Sequence, residues 1–216
     1  MVWSGYTFDY GIGTMTPCEY KHMIDLLESF CPSRICELGS GVSTNIFRQY
    51  GLRHRGVTCH SIEHDLSWYS SGCKLMELSE GCCLDISGHV YSNVCKYIGF
   101  EEWLKSEESF DFVLVDAPND GIPFNPSGWS YARVQVLDFV LLDRLSSESI
   151  VMYHDSERDI SCKTLLEFER LLTDYGYEWE KSIIVESDVG IRSYNEGVLG
   201  TCPELSVYRI RRVNKE

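Results

Sequence analysis

The chain has 216 residues, of which 44% are hydrophobic and 24% are charged, a composition that is ordinary for a globular protein. Acidic residues outnumber basic residues by 33 to 19, which gives a net charge of −14. Because contacts to phosphate require clustered Lys and Arg, we expect no nucleic-acid partner. No apolar run approaches the roughly 20 residues of a membrane helix, and no signal-peptide pattern is present, so we expect a cytoplasmic protein without membrane contacts.

The sequence contains ten cysteines, a high number for its length. No C-x-x-C pair occurs, although zinc sites usually show that spacing. Four of the cysteines fall in apolar, strand-like runs: Cys36, Cys59, Cys82 and Cys83. We predict buried free thiols in a reducing cytosol, and the pattern leaves one or two disulfides open.

We predict a single domain with an N-terminal arm at 1–15, a leading helix at 16–31 and a core at 33–216. The arm mixes glycines with aromatic residues, which indicates an irregular segment that packs onto the domain or covers a cleft. The helix start is well marked: Thr16 is a suitable N-cap, a proline follows it, and Glu19 stands three residues after the cap.

Short apolar runs alternate with helical patterns along the core, and this alternation favours a mainly parallel sheet covered on both faces. The predicted strands are 33–38, 57–63, 82–86, 110–116, 150–155, 177–186 and 204–211. The predicted helices are 43–50, a helix starting near 65, 99–104, 129–145 and 160–174. No helix separates the last two strands, so we predict that they form an antiparallel hairpin at one sheet edge.

Four acidic residues fall at, or within one residue of, the carboxyl ends of predicted strands: Glu37, Glu63, Asp116 and Asp155. In a parallel sheet these ends meet at one edge, and ligands bind in the crevice outside them. The pattern therefore predicts a polar site at this edge that supplies hydrogen-bond acceptors.

The segment from Arg34 to Thr44 has the pattern of a buried strand, a glycine turn and a helix start. Such a turn brings backbone N–H groups and a helix N-terminus close to a ligand. As a dinucleotide fingerprint it is imperfect, because Thr44 occupies the third glycine position. Glu37 places a negative charge before the glycines, which favours a cationic or zwitterionic nucleoside over a diphosphate. Glu63 follows at close to the spacing of about 20 residues expected for an acid that accepts from ribose hydroxyls.

With these segments the chain resembles the class I S-adenosylmethionine-dependent methyltransferases, and more narrowly their small-molecule and glycan-type branch. The matching segments are Glu37-Leu38-Gly39-Ser40-Gly41, Ile62-Glu63-His64-Asp65, Phe112 to Pro118, Tyr131-Ala132-Arg133 and His154 to Arg158. The resemblance covers about residues 33–160 and, by topology, the terminal hairpin. It implies an α/β, Rossmann-like, doubly wound and mainly parallel seven-stranded sheet. It also implies O-methylation of a small hydroxylated molecule or a sugar unit.

The cofactor implied by the resemblance is S-adenosylmethionine. Its implied binding residues lie at two strand ends and in the turn between them, with one on a third strand: Glu37, Gly39, Ser40, Gly41, Ser43, Thr44, Glu63, His64 and Asp116. The glycine turn would pass under the methionine portion, with Glu37 near its ammonium group. Ser43 and Thr44 would bind the carboxylate or cap the helix, Glu63 would take both ribose hydroxyls, and Asp85 would lie near the adenine.

Methyl transfer depends on positioning, and an oxygen nucleophile must also lose its proton or have its charge stabilised. The candidate catalytic residues at adjacent strand ends are Asp116, His154 and Asp155. In a metal-free interpretation, His154 or Asp155 is the general base. In the alternative, Asp116 and Asp155 bind Mg²⁺ or a similar hard cation. Ser156 stands where catechol-type methyltransferases of this arrangement have Asn, which weakens the metal interpretation.

Two arginines near the same edge have alternative roles. Arg158 is expected to pair with Asp155 or Asp116, and Arg133 to hold an anionic substrate group or form a surface salt bridge. The acceptor pocket is expected to be shaped by two loops, through Asn119, Asp120, Trp129 and residues 187–202. The sequence leaves open an NAD-dependent Rossmann oxidoreductase, a non-catalytic nucleoside-binding protein of the same fold, N-methylation and a homo-oligomer.

Overall fold

The computed structural model of the chain describes residues 1–9, 15–69, 73–84, 90–117, 132–156, 159–185 and 204–213. The chain begins with a short hairpin, β1 (Val2–Trp3) and β2 (Tyr6–Thr7), which is followed by α1 (Pro17–Phe30). The arm packs onto the domain, since Tyr6 and Phe8 are buried and the Phe8 and Tyr20 ring centroids lie 5.3 Å apart.

The start of α1 confirms the predicted capping box. Thr16 Oγ1 accepts from the Glu19 backbone N–H at 3.3 Å, and Glu19 Oε2 accepts from the Thr16 N–H at 2.6 Å. The backbone N–H groups of Thr16 and Glu19 have no partner within the helix, and these two hydrogen bonds satisfy them. This reciprocal pair holds the Glu19 side chain in the buried interior, where it is only 1% exposed.

The rest of the chain alternates strands and helices, as the sequence pattern predicts. In order, the elements are β3 (Arg34–Leu38), α2 (Val42–Arg53), β4 (Thr58–Glu63), β5 (Cys73–Leu75), β6 (Leu78–Leu84), β7 (Val90–Tyr97), α3 (Phe100–Ser106), β8 (Phe110–Val115), a 3₁₀ turn (Ala132–Gln135), α4 (Val136–Leu141), β9 (Leu145–His154), α5 (Asp159–Asp174), β10 (Tyr177–Val185) and β11 (Glu204–Arg212). Within the described residues, no helix combines the length and apolar character of a membrane span.

Seven strands form the central sheet in the order β10–β11–β9–β8–β3–β4–β5. The five strands from β9 to β5 are parallel to their neighbours, whereas β11 runs antiparallel to both β9 and β10. The predicted α/β class, the mainly parallel seven-stranded sheet and the C-terminal antiparallel hairpin are therefore confirmed. The carboxyl ends of β3, β4, β8 and β9 lie at one edge, as the parallel pairing requires.

Both faces of the sheet are covered, because successive side chains of a strand point to opposite faces. In β8, Phe112 and Leu114 pack in a cluster with α1 and α2, while Val113 and Val115 pack in the other cluster with α3, α4 and α5. Since all four are fully buried, the strand reads as a continuous apolar run.

The prediction of a helix starting near Asp65 is wrong. Asp65 Oδ1 instead accepts from the backbone N–H and the hydroxyl of Ser67, each at 2.7 Å, and the N–H groups of Trp68 and Tyr69 donate to the Asp65 carbonyl. An Asp that bonds the backbone two residues on forms a local turn that competes with a helix. The chain then reaches the sheet again as β5, which pairs with β4.

Two further boundaries differ from the prediction. The run at 82–86 overlaps β6, which pairs with β7 in a separate antiparallel sheet, so the third strand of the central sheet is β5. Within the range predicted as a helix, 129–145, the structure shows the 3₁₀ turn followed by α4, which ends at Leu141. Asp143 has a φ of +56°, and Leu145 already pairs with Phe110 as the first residue of β9. An apolar run alone does not separate a buried helix from a buried strand.

Some of the cysteines predicted to be buried can be placed. Cys36 is a fully buried free thiol in β3, and Cys59 is a half-buried free thiol in β4. Burial, with Glu37 nearby, raises the pKa of the Cys59 thiol to about 12, which makes it unreactive at neutral pH. The side chains of Cys82 and Cys83 lie outside the part that the structure describes.

Candidate functional site

The glycine turn after β3 ties together the carboxyl ends of three neighbouring strands. The Gly39 N–H donates to the Ile62 carbonyl of β4 at 2.8 Å, and the Asp116 N–H donates to the Leu38 carbonyl at 2.9 Å. Gly39 has a φ of +90°, and a Cβ at this position would lie 2.4 Å from the Asp116 carbonyl oxygen. Only glycine permits this approach, which brings Asp116 directly against the turn.

Gly41, two residues later, borders open space at the start of α2. A Cβ built on it would meet no atom of the described residues within 4 Å. Its backbone is extended, with a φ of 174°, and its N–H donates to Thr44 Oγ1 at 2.9 Å. A ligand could therefore lie directly against the main chain here, beside the helix N-terminus.

Glu37 lies beneath this turn and is fully buried. Its carboxylate accepts from three hydroxyl groups: Ser43 Oγ, Thr44 Oγ1 at 2.7 Å and Ser61 Oγ at 2.6 Å. Burial raises the pKa of Glu37 to about 7, and the hydrogen bonds from the hydroxyls oppose this increase only in part. Glu37 therefore faces the cleft through Ser43 and Thr44 rather than directly.

Ser61 is a site residue that the sequence analysis did not identify. It stands directly opposite Glu37 in the parallel pairing of β3 with β4. The available signal was a serine two residues before Glu63, on the same face of the strand, but the residue that it contacts depends on strand register.

Glu63, at the end of β4, is only 3% exposed and is surrounded by donors. Glu63 Oε2 accepts from the Ser40 N–H at 2.7 Å and the Ser40 hydroxyl at 2.8 Å. Glu63 Oε1 accepts from the His64 and Asp65 N–H groups at 2.7 and 2.8 Å, and His64 Nδ1 lies 2.9 Å away. Burial alone would raise the pKa of Glu63, but these hydrogen bonds outweigh it and lower the pKa to about 2.

The Ser40 hydroxyl has a second acceptor, the Trp68 carbonyl oxygen at 2.8 Å. A serine hydroxyl carries one hydrogen, so it can donate fully to Glu63 or to Trp68, but not to both. When it donates to Trp68, a lone pair of Glu63 Oε2 becomes available to another donor. Glu63, Ser40 and His64, which the sequence analysis assigned to one ligand, thus lie together.

The three candidate catalytic residues also lie together, at the ends of β8 and β9. His154 Nδ1 lies 2.8 Å from Asp116 Oδ1 and 3.5 Å from Asp155 Oδ2. One potential ligand atom from each residue lies within 4.8 Å of the other two. His154 and Asp155 are buried, whereas the Asp116 side chain is 22% exposed. Asp116 is therefore the most accessible of the three.

Arg133 is buried between these acids, with an exposed fraction of 2%. Its Nη2 lies 3.2 Å from both Asp116 Oδ1 and Asp155 Oδ2. Its Nε donates to the Ala117 carbonyl at 2.6 Å, and its Nη1 donates to the His154 carbonyl. The sequence allowed a salt bridge for Arg133, but the expected surface position is wrong. The guanidinium is part of the interior of the site.

The surroundings of His154 favour its positively charged form. Burial lowers its pKa, but Asp116 and Asp155 outweigh burial and raise the pKa well above the usual value. Glu19 contributes from the other side of the ring, with Oε2 lying 3.6 Å from Nε2. Glu19 was missed as a site residue, because a capping-box pattern gives no indication of a contact with a strand 135 positions away in the sequence.

The predicted metal ligands Asp116 and Asp155 do not fit a divalent cation in this arrangement. Arg133 already bridges their carboxylates, and His154 Nδ1 lies 2.8 Å from Asp116 Oδ1 and 3.5 Å from Asp155 Oδ2. A metal ion would have to displace one positive group or share the carboxylates with it, at a high electrostatic cost. Ser156, at the position of the expected Asn, is buried.

Several predicted site residues lie outside the described residues. They are Asp85, Asn119, Asp120, Trp129, Arg158 and the loop 187–202. Their expected roles beside the adenine, the acceptor and the strand-end acids stay predictions. The described part of the edge thus consists of the ends of β3, β4, β8 and β9 with the N-terminal turns of α1 and α2.

No protein-family model and no curated protein matches the chain. Solved structures do match its fold. An O-methyltransferase from Bacillus cereus in complex with SAH has a TM-score of 0.56 and 12% identity, covering 92% of this chain and 84% of that chain. An O-methyltransferase from Streptomyces achromogenes involved in tomaymycin synthesis, in complex with SAM, has a TM-score of 0.54 and 11% identity, with coverages of 92% and 82%.

An SAH-bound methyltransferase from Podospora anserina has a TM-score of 0.50 and 17% identity, covering 94% of this chain and 81% of that chain. At such identities the likeness establishes a shared fold. It agrees with the strand order and the terminal hairpin described above. The chemistry of this chain has to be argued from its own residues.

Proposed function

We propose that the chain is a class I S-adenosylmethionine-dependent methyltransferase that methylates a hydroxyl group of a small-molecule acceptor. The observation that carries the proposal is the glycine turn, which contacts Glu63 through Ser40 and Asp116 through Gly39 while Gly41 borders open space. The shared fold adds support, because the neighbours named above were crystallised with SAM or SAH.

The charge around the turn suits a cationic nucleoside. Among the described residues, no Lys or Arg forms a salt bridge with Glu37 or Glu63. Hydroxyl and N–H donors hold both carboxylates, and the His64 ring also contacts Glu63. The sulfonium and ammonium groups of S-adenosylmethionine would meet this negative potential. The same negative potential would repel a diphosphate.

Glu63 is proposed to bind the ribose hydroxyls, as the resemblance implies. In the structure both of its oxygens accept from protein donors, so a ribose requires a change at Ser40. Donation of the Ser40 hydroxyl to the Trp68 carbonyl supplies that change without moving the main chain. The backbone from Gly39 to Gly41 would then support the methionine portion.

When bound, S-adenosylmethionine supplies a methyl group on a positively charged sulfur. The task of the chain is to orient an acceptor hydroxyl and to take its proton. Asp116 suits this task, because it is the most accessible acid of its cluster and its Oδ1 lies 3.2 Å from Arg133 Nη2 and 2.8 Å from His154 Nδ1. His154 Nδ1 lies 2.8 Å from Asp116 Oδ1, so we assign His154 the orientation of Asp116.

The NAD-dependent alternative finds no support in the geometry. Thr44, at the third glycine position of a dinucleotide fingerprint, uses its hydroxyl to bond the buried Glu37. That arrangement places a carboxylate and a side chain where a diphosphate would need bare main chain. Sugar units stay within the proposed acceptor class because they present hydroxyl groups, and homo-oligomer formation stays a prediction.

The experiment is a turnover assay. The protein is incubated with S-adenosylmethionine and pools of phenols, catechols and free sugars, and formation of S-adenosylhomocysteine is measured. We expect formation above the acceptor-free rate with at least one pool. Asp116→Asn should lower that rate by about 10²- to 10⁴-fold, the usual contribution of a general base.

Asp174→Asn is the matched control, because Asp174 is exposed on α5 and pairs only with Arg170 among the described contacts. This variant should retain the wild-type rate. Absence of S-adenosylmethionine binding to the folded protein, or binding and oxidation of NADH in its place, would refute the proposal.

A further inference from the structure

The cation buried among the strand-end acids bears on whether the site uses a metal. We infer that the guanidinium of Arg133 occupies the position of a divalent cation, so that the site works without a metal and removal of this side chain creates a metal site. The statement about catalysis rests on the proposed function, whereas the statement about metal binding stands without it.

Four oxygen atoms converge on the guanidinium group. Two are carboxylate oxygens, Asp116 Oδ1 and Asp155 Oδ2, and two are main-chain carbonyl oxygens, those of Ala117 and His154. Carboxylate and carbonyl oxygens are the donors that hard divalent cations such as Mg²⁺ and Ca²⁺ select. The donor set is therefore that of a cation site, and an arginine fills it.

The arginine is held too firmly for a dissolved ion to replace it. It is 2% exposed, its Nε and Nη1 bond carbonyls at the ends of two different strands, and its Nη2 joins two acids. An arginine stays protonated at every accessible pH, so it cannot give up its charge to make room. A metal ion could enter only if this buried cation left its partners.

The inference also accounts for the departure from the Asp-Asn pattern at Ser156. Asp155 has a φ of +55°, a conformation that Asp tolerates better than most residues, and its Oδ2 lies 3.2 Å from Arg133 Nη2. A metal ion at this position would use a neutral oxygen ligand from residue 156. The guanidinium of Arg133 needs no such ligand, because its side chain already holds it in place. Ser156 is buried instead.

The test is Mn²⁺ binding, followed by the loss of the electron paramagnetic resonance signal of the free ion. Mn²⁺ is added to the full chain in four forms: wild type, Arg133→Ala, Arg133→Lys and the double variant Arg133→Ala with Asp155→Asn. We expect no loss of signal with the wild type, a loss of one equivalent with Arg133→Ala, and no loss with the double variant. Arg133→Lys retains the positive charge and should also bind no Mn²⁺.

Circular dichroism establishes whether each variant is folded. A folded Arg133→Ala protein that binds no Mn²⁺ would overturn the inference. So would a wild-type protein that binds one equivalent of Mn²⁺. If Arg133→Ala does not fold, the wild-type and Arg133→Lys titrations decide, because binding of Mn²⁺ to either contradicts a site already filled by a cation.

A parallel titration with S-adenosylmethionine separates this inference from the proposed function. Nucleoside binding together with Mn²⁺ binding by the wild type would refute the inference alone. Absence of nucleoside binding would refute the proposed function alone, since the metal titrations do not depend on it. With an active acceptor, we expect the turnover rate to be unchanged by EDTA.

Discussion

The edge of the sheet has two acidic halves that are stabilised in different ways. At the ends of β3 and β4, Glu37 and Glu63 accept hydrogen bonds from hydroxyl and backbone N–H groups. At the ends of β8 and β9, Asp116 and Asp155 instead bond the cationic side chain of Arg133. In the first half no Lys or Arg pairs with either acid, whereas in the second half an internal arginine pairs with both.

From this difference we assign cofactor binding to the half at β3 and β4 and the reaction with the acceptor to the half at β8 and β9. A half whose acids pair with no Lys or Arg attracts a positively charged ligand, and the donors around these carboxylates hold them in place. A half with an internal cation holds its acids in one orientation and offers the partly exposed Asp116 to a reacting hydroxyl. The turn at Gly39 joins the two halves through its contact with Asp116.

The largest expected effect follows from breaking that junction. Gly39→Ala places a Cβ 2.4 Å from the Asp116 carbonyl oxygen and requires a positive φ from alanine. Strain of about 1–2 kcal/mol from the left-handed backbone adds to about 1–3 kcal/mol from overpacking. We expect the free energy of unfolding, measured in urea, to fall by about 3–4 kcal/mol.

Gly51→Ala is the control for this substitution. Gly51 lies in α2, and its added Cβ would meet only Cys59 Sγ, at 3.8 Å. Alanine in a helix is favoured over glycine by about 0.5–1 kcal/mol, so this variant should be as stable as the wild type or slightly more stable. Equal stability of the Gly39→Ala and Gly51→Ala proteins would contradict the proposed junction.

The next effect compares the two acids of the first half by pH, beginning with Glu37. Its folded-state pKa is about 7 against 4.5 in the unfolded chain, so the folded protein binds more protons between these values. The contribution of Glu37 to the free energy of unfolding is therefore fully present below about pH 4.5 and is lost as pH rises through 7, by about 3 kcal/mol in total. Glu37→Gln should remove this decline, as measured by urea unfolding from pH 4.5 to 8.

An identical slope in the Glu37→Gln protein would show that Glu37 is not buried as an acid. The measurement needs no ligand. It therefore tests the burial of Glu37 beneath Ser43, Thr44 and Ser61 independently of the proposed activity.

Glu63 should show the opposite dependence on pH. Its pKa falls to about 2 in the folded chain, so its contribution is full above about pH 4.5 and is lost as pH decreases toward 2. Allowing for screening by water at the edge of the sheet, we expect a loss of about 2 kcal/mol. Comparing Glu63→Gln with the wild type between pH 2.5 and 5 isolates this loss. Parallel stability curves for the two proteins would contradict the prediction.

The parts of the molecule set by local sequence were predictable. Thr16 and Glu19 marked the start of α1, and the apolar runs that end in Glu37 and Asp116 marked two central strands. The spacing of the apolar residues indicates the type of each element, and the capping and charged residues mark its boundaries. The same strand ends located four of the acids of the edge, because parallel pairing brings carboxyl ends together.

The parts set by register and by competing turns were not predictable. The contact of Ser61 with Glu37 depends on the pairing of β3 with β4, and the approach of Glu19 to His154 depends on how α1 packs on the sheet. The burial of Arg133 follows from the 3₁₀ turn Ala132–Gln135, and the sequence before this turn gives no periodic signal. Local propensity contains none of this information.

The smallest expected effect concerns Gly41 and tests the central claim most directly. Isothermal titration calorimetry with S-adenosylhomocysteine compares the wild type, Gly41→Ala and Gly51→Ala. An alanine methyl group at Gly41 would project into the open space that we assign to the ligand, while the extended backbone there accepts alanine. We predict saturable one-to-one binding by the wild type and Gly51→Ala, and about tenfold weaker binding by Gly41→Ala, equivalent to about 1.4 kcal/mol. Equal affinities of all three folded proteins, or no binding by any of them, would contradict the account.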